Sequence, residues 1–264
     1  MLTYRSYLHL DSLLDLQRPV GPSPASPELL FITVHQVYEL WFKMLLGTLE
    51  DARDALLDGQ IGLARRPLAR AHTLQRLCAA QVELLETMTP REFADFRDEL
   101  GSASGMQSAQ HHELEIISAA GDERILRAGW FSDAERARLA RRFAEPTLWD
   151  GYLAALDAAG LCTGTEGERA DSLEAVAAEK GAGARPDVQS LTEDLRTYDV
   201  LGGIWRLRHA QLAERHIGGR PGTGGTAGAA YLRRRVDRCY FPELWGKDAH
   251  AAVPTGNLDL QTTR

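Results

Sequence analysis

The chain has 264 residues, of which 44% are apolar and 25% charged, and a net charge of −7 at neutral pH. That composition is ordinary for a globular protein with one large core, and the negative balance argues against nucleic acid or an anionic membrane surface as the main partner. Cys78, Cys162 and Cys239 make no CxxC pair, which predicts reduced thiols in a cytoplasmic protein rather than a disulfide framework or a thiolate zinc site. The first residues lack a secretory apolar core, and no stretch reads as the roughly 20 apolar residues needed to cross a bilayer.

In chain order, helical periodicity dominates and strand signals are almost absent. Residues 4–17 predict a short amphipathic helix, followed by a proline-rich connector from Pro19 to Pro27. A long helix follows over roughly 28–57, broken near Gly59, and a second over Arg66–Met88 with Leu68, Ala71, Leu74, Leu77 and Cys78 inward. Thr89-Pro90-Arg91-Glu92 is a helix start, with Thr89 as N-cap, Pro90 in the first turn and Glu92 closing a capping box. It launches Phe93–Leu100, which ends in the turn Gly101–Gly105. Further helices are expected over about 106–120, 132–143 and 146–160. The small, polar residues 163–188 predict a mobile excursion within a variable helical region of about 121–188. A last long helix spans about 189–217, then a glycine-rich stretch Arg220–Gly228 and a terminal helix Tyr231–Tyr240. This pattern predicts an all-α bundle forming one domain over 1–264, with no internal repeat.

Two histidines stand on helix faces that are otherwise apolar. Phe31, His35, Tyr38, Phe42, Leu45 and Leu49 recur at three and four residues, as do Trp205, His209, Leu212 and His216. Each histidine alone reads as a core group with a hydrogen-bond partner. Two of them on long helices match the way bundles seat haem or metal between facing helices. A non-haem metal site is approached only at His111-His112-Glu113-Leu114-Glu115, where adjacent residues are not expected to share a face. Phe93 and Arg97 lie one turn apart, which reads either as a surface salt bridge, the commoner case for a single arginine, or as an aromatic wall beside a guanidinium fork that suits an amino acid with a free carboxylate. The Gly222–Gly228 stretch has no P-loop lysine and follows a helix, so it reads either as a flexible connector or as backbone that approaches a bound group closely.

Together these segments resemble the tryptophan 2,3-dioxygenase family. The resemblance rests on Tyr4-x-x-Tyr7-Leu8, on Leu30-Phe-Ile-x-x-His35-Gln-x-x-Glu39-Leu-Trp-x-Lys43, and on Phe93-x-x-Phe96-Arg97 with Ala103-Ser104-Gly105-x-Gln107-Ser108. It continues through Arg208-His209, Gly222-Thr223-Gly-Gly-x-x-Gly228 and Tyr231-Leu-Arg233. It implies haem b, ferrous when active, with His209 as axial iron ligand and O2 as co-substrate for cleavage of the indole C2–C3 bond of L-tryptophan to N-formylkynurenine. His35 would accept the indole N–H. Phe31 and Phe93 would wall the indole, and Arg97 would clamp the carboxylate. Thr223, with the Gly222 backbone, would hold the amino-acid end, while Ser104 and Tyr38 would line the haem pocket. Tyr4, Tyr7 and Leu8, on an N-terminal arm of about residues 1–20, would close a neighbouring subunit's pocket in an intertwined homotetramer.

The chain departs from the family pattern at Ser26-Pro27-Glu28, where His-Asp-Glu is usual, at Met106, where Phe is usual, at His111-His112, and at Thr226-Ala227. A second reading is haem-dependent mono-oxygenation of a tryptophan derivative or tyrosine, as in relatives serving natural-product pathways. Some of those attach haem through a cysteine four residues after the ligand histidine, and position 213 here is alanine. A third is a helical binding protein without chemistry.

Overall fold

The computed structural model describes residues 1–20, 26–178 and 185–251. Among these the protein is all-α, with no strand. The frame is three long helices, α3 (Ser26–Leu57), α4 (Ile61–Glu86) and α10 (Pro186–Ile217), with α4 packed against both others. Their apolar stripes meet in one core with Leu49, Leu56, Leu68, Ala71, Leu191 and Leu195 at its centre. On the flanks of α3 lie α8 (Leu148–Ala158) and α6 (Ala109–Ile117), while α5 (Pro90–Arg97) and α11 (Ala229–Arg233) pack on α10. Leu148, Tyr152 and Leu156 of α8 belong to the main core. A smaller cluster of Ala109, Ile116, Phe131 and Leu139 joins α6 to α7 (Asp133–Ala144).

Local chemistry sets the ends of these helices. After α3, Gly59 takes a left-handed φ of 70° and the Gln60 amide reaches back to Ala55 O, 2.8 Å, closing the orphan carbonyls in a glycine-dependent cap. Thr89 and Glu92 form the expected capping box at α5. Buried polar bonds then tie the long helices together: Tyr38 Oη donates to Cys78 O (2.9 Å), Gln81 Nε2 to Val34 O (3.1 Å), and His72 Nε2 to Asp194 O (2.8 Å). Asp199 of α10 accepts from the amides of Tyr240 and Phe241 and from Trp245 Nε1, which docks the C-terminal segment.

Several sequence expectations need correction. Residues 4–17 form two short helices, α1 (Tyr4–Tyr7) and α2 (Leu10–Leu13), because His9 between them is left-handed. The second long helix begins at Ile61, with Pro67 in its second turn, where only one amide bond is lost. Leu77, expected inward, is 44% exposed, since it sits off the face that α3 and α10 cover. The span 106–120 is a 3-10 turn (Gly105–Gln107) and then α6, separated because the Ser108 hydroxyl caps the His111 amide. Within the stretch expected to be mobile, 163–188, residues 166–178 form α9 (Glu166–Ala178), capped by Thr165 and held by buried Ser172 and Val176; residues 179–184 lie outside the described residues. The terminal helix shrinks to α11, followed by turns. Finally, Pro27–Leu57 is long and apolar enough to cross a membrane by length and composition, contrary to the sequence reading, but one face of it lies in the core between α4 and α8.

Candidate functional site

The stripe on α3 is graded. Leu49 is fully buried and Leu45, Phe42 and Tyr38 nearly so, whereas His35 and Phe31, toward the N-terminus, remain partly open. An aromatic wall therefore starts in the core and ends in accessible space. Its rings touch in sequence: Phe31 to His35 at 4.1 Å between centroids, His35 to Tyr38 at 6.3 Å, and Tyr38 to Phe42 at 5.8 Å. From α10, Trp205 meets Tyr38 and Phe42 edge-on and lies 5.3 Å from the His209 ring one turn later. Phe93 of α5 completes the wall against Phe31 (5.8 Å).

Two imidazoles thus sit in an apolar surround, and burial holds both in the neutral form. His209 is pushed down to about 4 by desolvation, with His35 and His111 adding repulsion. His35 is also lowered by burial, partly offset by its backbone hydrogen bond and by Glu39. His35 Nδ1 lies 2.7 Å from Phe31 O. A carbonyl only accepts, so Nδ1 carries the proton and Nε2 is left as a lone-pair acceptor. Neither ring nitrogen of His209 has a hydrogen-bond partner among the described residues. The Trp205 indole N–H is buried and unsatisfied; it faces the Tyr38 hydroxyl without hydrogen-bond geometry, and that hydroxyl donates to Cys78 O instead. Burial raises the Tyr38 hydroxyl, so it stays protonated.

A second set of predicted residues converges one turn beyond Phe93. Arg97 Nη2 donates to Pro221 O (2.6 Å), and Thr223 Oγ1 donates to Ala103 O (2.6 Å). A side chain on Gly224 would strike Ser104 at 2.8 Å, so glycine there is what lets the loop approach. Arg97, Ser104, Gly222 and Thr223 are therefore brought together. The Gly222 N–H and C=O are both engaged inside the loop, by Thr226 O and the Gly225 amide, so neither Gly222 group is unpartnered for a ligand. Tyr4, Tyr7 and Leu8 are not brought to this pocket within one chain; they are exposed on and beside α1. His216, on the same face as His209, is a structural group whose Nε2 donates to Met88 O at 2.9 Å.

Comparison with known proteins decides what this arrangement belongs to. A family model described as tryptophan 2,3-dioxygenase matches residues 1–156, which contain His35, Phe93 and Arg97. Proteins named tryptophan 2,3-dioxygenase from Nocardioides sp. (46% identical over 250 residues, 93% of each chain) and Herpetosiphon aurantiacus (39% over 252 residues, 92% of this chain and 96% of that one) are similar nearly end to end. One from Anaeromyxobacter sp. is 42% identical over 261 residues, covering 92% of this chain and 94% of its own. The chain belongs to the tryptophan 2,3-dioxygenase family. Alignments covering 92–93% of the chain necessarily run through α10 and His209.

Within this family member the structure adds two residues that sequence reasoning passed over. By spacing Trp205 is only one member of a stripe, although an indole one turn before a candidate ligand is a usable signal. Adjacent helix positions point apart, which argues against a shared role for His111. In fact its ring joins the aromatic wall, 5.7 Å from Phe42 and 5.3 Å from Trp205, and burial pushes it down to about 4. Although adjacent positions are not expected to share a face, the ligating atoms of His111, His112 and Glu115 all lie within 4.8 Å of one another, because Glu115 is four and three residues on from the two histidines. Two clefts, of about 660 Å³ beside Glu39, Lys43 and Arg142 and about 430 Å³ beside Met106, His112 and Arg235, lie apart from His35 and His209.

Proposed function

We propose that this enzyme opens the C2–C3 bond of the L-tryptophan indole with O2, giving N-formylkynurenine, and that it does so with haem b bound through His209. The reaction follows from the name carried by relatives at 39–46% identity. The observation that carries the site is His209 itself: an imidazole held neutral, with no hydrogen bond on either nitrogen among the described residues, packed beside the Trp205 ring yet partly open to space. The Trp205 N–H beside it is a second buried polar atom that makes no hydrogen bond. Neutral imidazole in an apolar pocket is the donor that haem iron takes.

His209 would hold the iron, with Tyr38 and Ser104 lining the pocket, and ferrous haem would supply the oxygen activation. The chain's own residues then bind and orient. His35 Nε2, fixed as an acceptor by the Phe31 carbonyl, takes the indole N–H. Phe31 and Phe93 wall the ring, and their apolar faces keep water from the reacting bond. The remaining N–H groups of Arg97, a fork already anchored on Pro221 O, pair with the substrate carboxylate, worth about 1.5–3 kcal/mol for charge-assisted bonds. Thr223 and the loop carrying Gly222 close over the amino-acid end. Tyr4, Tyr7 and Leu8, exposed in one chain, fit the closing of a neighbour's pocket in a homotetramer. We place the enzyme in the cytoplasm, in keeping with three free cysteines.

Product mass and haem absorbance test this reading. A two-oxygen gain on L-tryptophan with loss of indole absorbance is expected, and a one-oxygen product would refute ring opening. His209→Ala should lose the Soret band of bound haem, whereas His35→Ala should keep it and lose turnover. A colourless protein that haem cannot reconstitute would sink the proposal entirely.

A further inference from the structure

The cluster at the start of α6 is not used by the proposed reaction, and its polar contacts are specific. His112 Nε2 lies 2.9 Å from Met106 O, so that nitrogen donates to the carbonyl and Nδ1 is the ring atom left to meet Glu115. Nδ1 lies 3.3 Å from Glu115 Oε2. Between a ring nitrogen and a carboxylate oxygen at that distance sits either a proton or a cation. Glu115 Oε1 is occupied separately, by Arg235 and by Arg238 at 3.5 Å, which leaves Oε2 directed at the histidines. The His111 ring, 5.9 Å from that of His112 and tilted by 76°, brings the third donor.

We propose that His111, His112 and Glu115 form a metal site, separate from the haem iron, for a divalent ion that favours nitrogen donors, of the zinc type. The chemistry of the donor set fits. Ligand atoms around a tetrahedral zinc ion with bonds of about 2.0–2.1 Å lie about 3.3 Å apart, which is the separation already present between His112 Nδ1 and Glu115 Oε2. The outer contacts are those of a ligating pair: the histidine is oriented by a backbone carbonyl and the carboxylate by guanidinium groups on its other oxygen. The His111 ring has no hydrogen bond among the described residues, so its nitrogens are not committed to another partner. Access is provided by the 430 Å³ cleft, which His112, Glu115 and Met106 line and which leaves room for a water as fourth ligand. Arg235 and Arg238 oppose a further positive charge. Binding therefore rests on the two imidazoles, which selects Zn²⁺, Co²⁺ or Cu²⁺ over Mg²⁺ and Ca²⁺, ions that want oxygen. Because His111 also touches Phe42 and Trp205, the site shares a wall with the aromatic pocket.

The alternative occupant is a proton, making His112 an imidazolium paired with Glu115. The test uses untagged, haem-loaded protein freed of loose metal with a chelator and titrated with Zn²⁺ by calorimetry. One saturable ion per chain beyond the haem iron is expected, with at least tenfold weaker binding in His111→Phe and in His112→Gln. Absence of a saturable ion in the wild type, or undiminished binding in both variants, overturns the proposal. A second measurement on the wild type alone covers the case where a variant misfolds: Zn²⁺ should shield His112, which lines the cleft, from acylation by diethyl pyrocarbonate, as read by peptide mass. Equal modification with and without Zn²⁺ also overturns it.

Discussion

Along α3 one spacing rule runs through two environments. From Leu45 to Leu56 the helix packs on α4 and α8, and its members of the main core, Leu45, Leu46, Leu49, Ala52 and Leu56, are all aliphatic. From Phe31 to Phe42 it is aromatic, carries an imidazole, and meets the face of α10 where the Trp205 indole N–H and the His209 imidazole make no hydrogen bond among the described residues. The first half stabilises the fold by burial. The second half keeps neutral, unsatisfied polar groups in low dielectric, which costs stability and is the condition for binding a group that satisfies them. Where the stripe changes from aliphatic to aromatic, the molecule changes from closed core to the proposed site.

That contrast can be broken at several points. The largest effect is expected from His209→Ala, which should abolish haem binding, read as loss of the Soret band, while leaving the far-ultraviolet dichroism of the bundle intact. Leu49→Ala should do the reverse, lowering stability by about 2–5 kcal/mol in denaturant titration through the cavity it leaves, with haem still bound in the folded fraction. If Leu49→Ala releases haem without destabilising the protein, the division is wrong.

A pH titration sharpens the same comparison. The folded protein keeps His209 and His111 neutral down to about 4, whereas the unfolded chain protonates them near 6.5, so the unfolded state binds more protons between those values. Haem-free protein should therefore hold its full stability above pH 6.5 and lose up to about 3 kcal/mol per imidazole as the pH falls toward 4. His111→Phe should flatten that slope, measured as unfolding midpoint against pH. Arg97→Ala should raise KM for L-tryptophan by roughly 10- to 100-fold, from the loss of a charge-assisted pair, and leave the melting temperature nearly unchanged. The smallest effect belongs to a position remote from both halves: Thr89→Ala removes the α5 capping box and should cost about 1 kcal/mol.

The helical class, the three long helices within a few residues, the α5 cap and the faces bearing His35 and His209 were all legible in the sequence, because spacing of three and four and capping chemistry are local. The same local logic also fixed which residues could be neighbours on one helix, Phe93 with Arg97 or Trp205 with His209. Tertiary structure decided which faces meet. It placed Arg97 on Pro221 O and Thr223 on Ala103 O across more than a hundred residues of chain. It left Trp205 unsatisfied, and it set the His35 proton on Nδ1, which depends on how that ring lies against the Phe31 carbonyl. It also drew Arg235 and Arg238 onto Glu115 and turned His111 toward Trp205. Periodicity carries no information about long-range pairing or about a side chain's rotamer, and both are set only when the packed neighbours exclude the alternatives.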